Sequence, residues 1–201
     1  MQKGFTLWLT GLTGSGKTTL ANEVEGLLLE RGVPVEVLDD EEVRLRLYPE
    51  LGYAKEDRDL NVERLAYLAR ILSRNGVVAI VAAVSPYHDA RRQARQSTER
   101  FVEVYCKCPV DVLRKRDMKK IYARADIGEI SNLSGVSGPY EEPEKPEVVV
   151  ETHQESVEES ASRIVKTLEV LNLAPSVEGG NDYSEAEEAE IRDRLAALGY
   201  L

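Results

Sequence analysis

Hydrophobic positions in this chain fall into short runs separated by longer stretches of helical period. Residues 6–10 (Thr-Leu-Trp-Leu-Thr) read as a strand, and residues 77–84 are apolar on both faces, as a central buried strand should be. Further strands are predicted at residues 35–38, ending at Asp39, at 101–107 and at 147–151. Helices are predicted between them over residues 18–31, 61–75, 88–97, 109–116 and 156–171. Alternating strands and helices predict an α/β fold with a mainly parallel sheet and helices on both faces. Ligands of such open sheets gather at the carboxyl ends of the strands. Asp39, Ser85 and the loop after Cys108 share that edge.

The pattern divides the chain into an α/β domain, residues 1–173, and an appendage, residues 174–201. Pro175, Gly179, Gly180 and Asn181 mark a linker. Ser184, with Glu187 three positions on, then predicts a capped helix whose Ile191, Leu195 and Leu198 lie on one face. From Pro175 onward there are seven acidic residues and two arginines, a net of −5, half of the chain's −10. This helix either packs back on the domain or frays, or it docks on a partner.

Residues 11–18, Gly-Leu-Thr-Gly-Ser-Gly-Lys-Thr, complete the phosphate-loop pattern G-x-x-x-x-G-K-[ST] between a predicted strand and a predicted helix. Glycines let backbone N–H groups converge on a phosphate, and the helix N-terminus adds a favourable dipole. The ATP-binding candidates are Gly11, Thr13, Gly14, Ser15, Gly16, Lys17, Thr18 and Thr19. Lys17 is expected at the β/γ-phosphates and the Thr18 hydroxyl on Mg²⁺. A basic segment, Arg114, Lys115, Arg116, Lys119, Lys120 and Arg124, suits a mobile lid, with Lys119 and Arg124 facing the phosphates. The sequence lacks the guanine-reading N-K-x-D, and its size suits a small-molecule kinase better than a motor ATPase.

Composition narrows the setting. A net charge of −10 argues against a general binder of nucleic acid or of anionic membranes. Cys106 and Cys108 form C-x-C, which suggests no framework disulfide, and His88 and His153 are not grouped with them as a metal site would require. A reduced cytoplasmic protein is expected, with no signal peptide and no apolar run long enough to span a bilayer.

Several stretches together resemble one family, the adenylylsulfate (APS) kinases, from about Gly4 to Thr152. They are residues 11–19, Leu38-Asp39 through Val43-Arg44, Leu51-Gly52-Tyr53, Glu56-Asp57-Arg58, Asn61 with Arg64, and Ser85-Pro86-Tyr87. Arg116-Asp117 through Tyr122, Gly128-Glu129-Ile130, Asn132-Leu133-Ser134-Gly135, Pro139-Tyr140-Glu141 and Pro143-Glu144 follow. The resemblance implies transfer of the ATP γ-phosphoryl to the 3′-hydroxyl of adenylylsulfate, giving PAPS and ADP. It also implies a homodimer, which no pattern in the chain establishes. Asp39 or Glu41 would orient the 3′-hydroxyl or hold Mg²⁺ through water. By the same resemblance Arg44, Arg58 and Asn61 bind the nucleotide-sulfate, Tyr53 stacks on adenine, and Leu133 occupies the place of a second stacking aromatic. Ser85 joins the substrate set and matches a serine that some relatives phosphorylate.

The chain departs from the family pattern mainly on the acceptor side. The L-D-G-D segment reads Leu38-Asp39-Asp40-Glu41, and E-N-I-R-R reads Leu60-Asn61-Val62-Glu63-Arg64. His88 and Asp126 stand where arginines are common. Three readings stay open: a divergent APS kinase, a kinase for another nucleotide conjugate or small alcohol, and a nucleotide-binding pseudoenzyme that docks through its tail.

Overall fold

A computed structural model describes residues 4–117, 119–176 and 185–201. Its five strands are β1 (Thr6–Thr10), β2 (Val35–Asp39), β3 (Val78–Ala82), β4 (Phe101–Lys107) and β5 (Val148–Glu151). They form one parallel sheet in the order β2-β3-β1-β4-β5. The helices are α1 (Lys17–Glu30), α2 (Asp40–Leu47), α3 (Lys55–Arg74), α4 (His88–Ser97), α5 (Val110–Arg116), α6 (Ile121–Asp126), α7 (Val157–Val170) and α8 (Glu185–Ala197).

Side-chain alternation in β1 explains the layers. Phe5, Leu7 and Leu9 point to one face and pack with Leu20, Val24 and Leu28 of α1 and Ile164 and Leu168 of α7. Trp8 points to the other face and packs with Val62, Leu65 and Ala69 of α3 and Ala90 and Ala94 of α4. A third, smaller cluster, Leu12, Cys108, Leu113, Tyr122, Ala125 and Leu133, lies beyond the strand ends.

Helix α2 has no counterpart in the hydrophobic pattern, because none of its residues is buried. Its start is fixed locally: Asp39 Oδ1 accepts from the amides of Glu41 (3.0 Å) and Glu42 (3.2 Å). Helix α3 begins at Lys55, six residues before the predicted start, in a polar first turn tied by Lys55–Asp59 at 2.5 Å. The basic segment is two short helices, α5 and α6, rather than one strip. Asp117 turns the chain between them, its carboxylate accepting from the amides of Ile121 (2.7 Å) and Ala123 (2.9 Å).

The tail packs back on the domain. Leu195 is fully buried and Ile191 nearly so. Arg194 donates to the carbonyls of Pro146 (2.8 Å) and Glu147 (3.0 Å), and Tyr200 donates to the Glu147 carboxylate at 2.5 Å. Lys166 of α7 pairs with Glu188 at 3.3 Å. The capping position proposed at Ser184 lies outside the described residues. No helix among the described residues is long and apolar enough to cross a membrane.

Candidate active site

The phosphate loop leaves β1 through Gly11, where a Cβ would meet the Cys106 carbonyl at 2.5 Å and Ser15 Oγ at 2.7 Å. Gly16, at φ 88°, turns the chain into α1. Lys17 is buried and folds back over the loop, donating to the carbonyls of Gly11 (3.0 Å) and Leu12 (2.9 Å). Burial pulls its pKa down, against the nearby carboxylates of Asp40 and Asp39. Burial also pushes the neighbouring Cys106 thiol up to about 12, so it stays neutral. Ser15 Oγ is buried with no hydrogen-bond partner among the described residues. A loop holding an unpartnered hydroxyl and an ammonium parked on its own carbonyls is matched to a phosphate chain.

Three consecutive carboxylates after β2 go to three places. Asp39 Oδ2 accepts the Thr18 hydroxyl at 2.6 Å, joining the loop to the end of β2. Asp40 Oδ1 accepts from Asn61 Nδ2 at 2.6 Å. Both oxygens of Glu41 receive Lys119 Nζ, at 2.9 and 2.7 Å. Thr18 and Asp39 together offer hard oxygen donors beside the phosphate loop. This set fits Mg²⁺, which takes one or two protein oxygens and completes its shell with phosphate and water.

The residues that the family resemblance assigned to the acceptor lie together. Arg44 donates to the carbonyls of Leu51 and Gly52, and Arg58 donates to those of Tyr53 (3.1 Å) and Asn132 (2.6 Å). Both guanidiniums lie over the Tyr53 ring, 4.4 and 5.5 Å from its centroid. Tyr53 itself is 58% exposed. Asn61 is 4% exposed, one turn beyond Arg58 on α3.

The remaining predicted residues are placed differently. Leu133 is 6% exposed and belongs to the small cluster with Leu12 and Tyr122. Ser85 is buried at φ 39°; its hydroxyl accepts from Trp8 Nε1 (3.0 Å) and donates to Thr10 Oγ1 (3.0 Å). Those bonds engage its hydroxyl within the core. Arg124 pairs with Glu129 at 3.0 Å, whereas Lys119 reaches across to α2.

Sequence reasoning gave no role to Tyr122, Arg91 or Asp40. Tyr122 Oη donates to the Thr13 carbonyl at 2.6 Å, fastening α6 to the phosphate loop; burial pushes its phenol up to about 12. Arg91 is buried and holds Glu103 at 3.0 Å, the Ser85 carbonyl at 2.6 Å and the Glu141 carbonyl at 2.7 Å. An arginine inside an otherwise amphipathic helix was its only signal. Asp40 had one: it stands where a glycine was expected.

The family model for adenylylsulphate kinase matches residues 3–151. The adenylyl-sulfate kinase of Halothermothrix orenii is 45% identical over 182 residues, covering 89% of this chain and 98% of its own. A probable bifunctional SAT/APS kinase of Sorangium cellulosum is 48% identical over 172 residues; the match covers 86% of this chain but only 30% of that protein. The solved APS kinase of Mycobacterium tuberculosis, in complex with AMPPNP and APS, superposes with a TM-score of 0.81 at 36% identity, covering 84% of this chain and 99% of that one. The chain belongs to the adenylylsulphate kinase family.

Proposed function

We propose that this chain transfers the γ-phosphoryl group of ATP to the 3′-hydroxyl of adenylylsulfate, giving 3′-phosphoadenylylsulfate and ADP. The observation that carries the reading is the Thr18–Asp39 bond at 2.6 Å. It sets a metal-competent oxygen pair between the phosphate loop and an acceptor wall bearing Arg44, Arg58 and Tyr53. Mg²⁺, when bound there by Thr18 and Asp39, supplies charge neutralisation for the β- and γ-phosphates.

The chain's own groups do the rest. Lys17 leaves the Gly11 and Leu12 carbonyls for the phosphates, and loop amides cradle them. Arg44 and Arg58 bind the phosphosulfate through paired N–H donors, while Tyr53 stacks on adenine. Asp39 is committed to Thr18 and to the cap of α2, which leaves Glu41 to take the hydroxyl proton. The bond from the γ-phosphorus to the β,γ-bridging oxygen breaks as the bond to O3′ forms. Lys119 on the lid exchanges Glu41 for the phosphates as ATP enters. The two buried free thiols, Cys106 and Cys108, support a reducing, cytoplasmic setting.

The test is ADP release with ATP and Mg²⁺, comparing adenylylsulfate with AMP and with no acceptor, and Lys17→Ala as the control for contaminating kinase. Saturable turnover with adenylylsulfate, absent from the variant, is expected. ATP binding without turnover on adenylylsulfate overturns the reading and favours another hydroxyl acceptor or a binding role.

A further inference from the structure

Asp40 is the first residue of α2, between two carboxylates whose partners the proposed reaction already explains. Its own partner is the side-chain amide of Asn61, at 2.6 Å. Asn61 is almost wholly buried, and its Oδ1 has no hydrogen-bond partner among the described residues. An asparagine amide has a donor end and an acceptor end, and can turn either way when nothing selects between them. A carboxylate can only accept, so it selects the N–H₂ end for itself and leaves the carbonyl oxygen unpaired. That oxygen can serve only a hydrogen-bond donor.

We propose that Asp40 is a positioning residue for the acceptor: it locks the Asn61 amide so that Oδ1 is kept for a hydroxyl or amino hydrogen of the nucleotide. This inference rests on the proposed kinase reading and sharpens it. Asn61, as locked, reads the ribose or base portion of the acceptor, whereas the adjacent Arg58 and Arg44 take its anionic end. A glycine at this position would leave the amide free to offer its N–H₂ group to a phosphate or sulfate oxygen. The simpler alternatives are that Asp40 only tethers α2 to α3, or that its charge only repels an anionic acceptor.

Four variants separate these: Asp40→Gly, Asp40→Asn, Asn61→Ala and the double variant Asp40→Gly/Asn61→Ala. Each is measured for adenylylsulfate affinity by calorimetry, for KM of both substrates and for thermal stability. Asp40→Gly is expected to weaken adenylylsulfate, in Kd and KM, about 5–10-fold, the scale of one hydrogen bond, with KM for ATP unchanged. Asp40→Asn keeps a hydrogen-bonding group beside Asn61 but can present either end of its amide, so it is expected to recover only part of the affinity that Asp40→Gly loses. In the Asn61→Ala background, Asp40→Gly is expected to add nothing. Tighter adenylylsulfate binding in both Asp40 variants overturns the proposal in favour of charge repulsion. Equal weakening of both substrates, or full additivity with Asn61→Ala, overturns it in favour of a tether. Failure of the wild-type protein to bind adenylylsulfate sinks the kinase reading and this inference together, whereas binding that is unchanged in Asp40→Gly sinks only this one.

Discussion

On the phosphate side of the cleft, the ligand-facing groups belong to one loop of eight residues and the first turn of the helix that follows it. On the acceptor side they are side chains drawn from α2, the loop after it, α3 and the stretch near Asn132. The first surface is held by backbone geometry, with Gly11 too close to Cys106 for any larger residue. The second is held by long side chains, Arg44 and Arg58, resting on carbonyls and on the Tyr53 ring. A backbone cradle admits few substitutions where a Cβ would meet neighbouring backbone, as at Gly11, or where φ is positive, as at Gly14 and Gly16. A side-chain wall can change one member at a time, and there this chain carries Asp40, Glu41, Glu63 and Leu133 in place of the residues its resemblance led one to expect. The contrast predicts that variants on the phosphate side abolish turnover, whereas variants on the acceptor side shift affinity for one substrate.

The largest effect is expected for Lys17→Ala. Removing the buried ammonium takes away a charge that develops its full value only as the phosphoryl group moves, and kcat should fall by about 10³-fold or more. A smaller loss in steady-state turnover would mean that the backbone cradle and the lid lysine carry most of the work. Asp39→Asn comes next. Asparagine still caps α2, so thermal stability should hold, but it loses the anionic oxygen that meets Thr18. A drop in kcat of about 10²-fold with a raised Mg²⁺ requirement is expected from a magnesium titration. If stability fell as far as activity, Asp39 would be chiefly a cap.

Arg58→Ala tests the other wall. Its guanidinium ties the Tyr53 carbonyl to the Asn132 carbonyl and, in the proposed reaction, binds the acceptor, so KM for adenylylsulfate should rise about 10–50-fold while KM for ATP stays within twofold. Arg58→Lys should recover little, since an ammonium cannot span two carbonyls as a planar fork does. Equal changes in both KM values would erase the distinction between the walls.

The same contrast governs what the sequence made legible. The central strands β1, β3 and β4 were readable as runs buried on two faces, the edge strands β2 and β5 as shorter runs rich in valine, and the phosphate loop because its residues are contiguous. Asp39 was flagged by its place at the end of a strand, but Arg44, Arg58 and Asn61 were reached only through family resemblance, since 17 positions separate Arg44 from Asn61 and no period links them. Helix α2 escaped the pattern because none of its residues is fully buried and only Val43 packs partly against the core. Ser85 joined the substrate set by resemblance; the partners that bury its hydroxyl, Trp8 and Thr10, are more than 70 residues away in sequence and carry no local signal. Leu133 reads as a weakened stacking residue until its neighbours in space, Leu12 and Tyr122, explain why an apolar branched side chain suits it. The tail's fate was also open in sequence, because the same Ile191–Leu195 stripe serves docking or back-packing. Arg194 and Tyr200 decide it by meeting Pro146 and Glu147.

The smallest expected effect concerns Asp40 and is a matter of pH. Withdrawal from solvent raises its carboxyl pKa; the Asn61 hydrogen bond and the charges of Arg44 and Lys17 pull it back down, and the Asp39 carboxylate adds to the rise. Arg58 faces the same carboxyl from α3. A carboxyl whose folded pKa lies above its unfolded value of about 4 favours the fold when protonated. That contribution is complete below pH 4 and is lost as pH rises through the folded pKa. Above that folded pKa the folded protein carries an ionised group it would rather hold neutral. Asp40→Asn removes the ionisation and keeps an oxygen for Asn61, so calorimetry should find it more stable than wild type at pH 8, by about 2–4 °C. The gap should close as pH approaches 4. A variant less stable than wild type at pH 8 would mean that Arg44 and Lys17 outweigh burial. The acceptor wall would then be held together by charge, like the lid contact between Lys119 and Glu41, rather than by the directed hydrogen bond to Asn61.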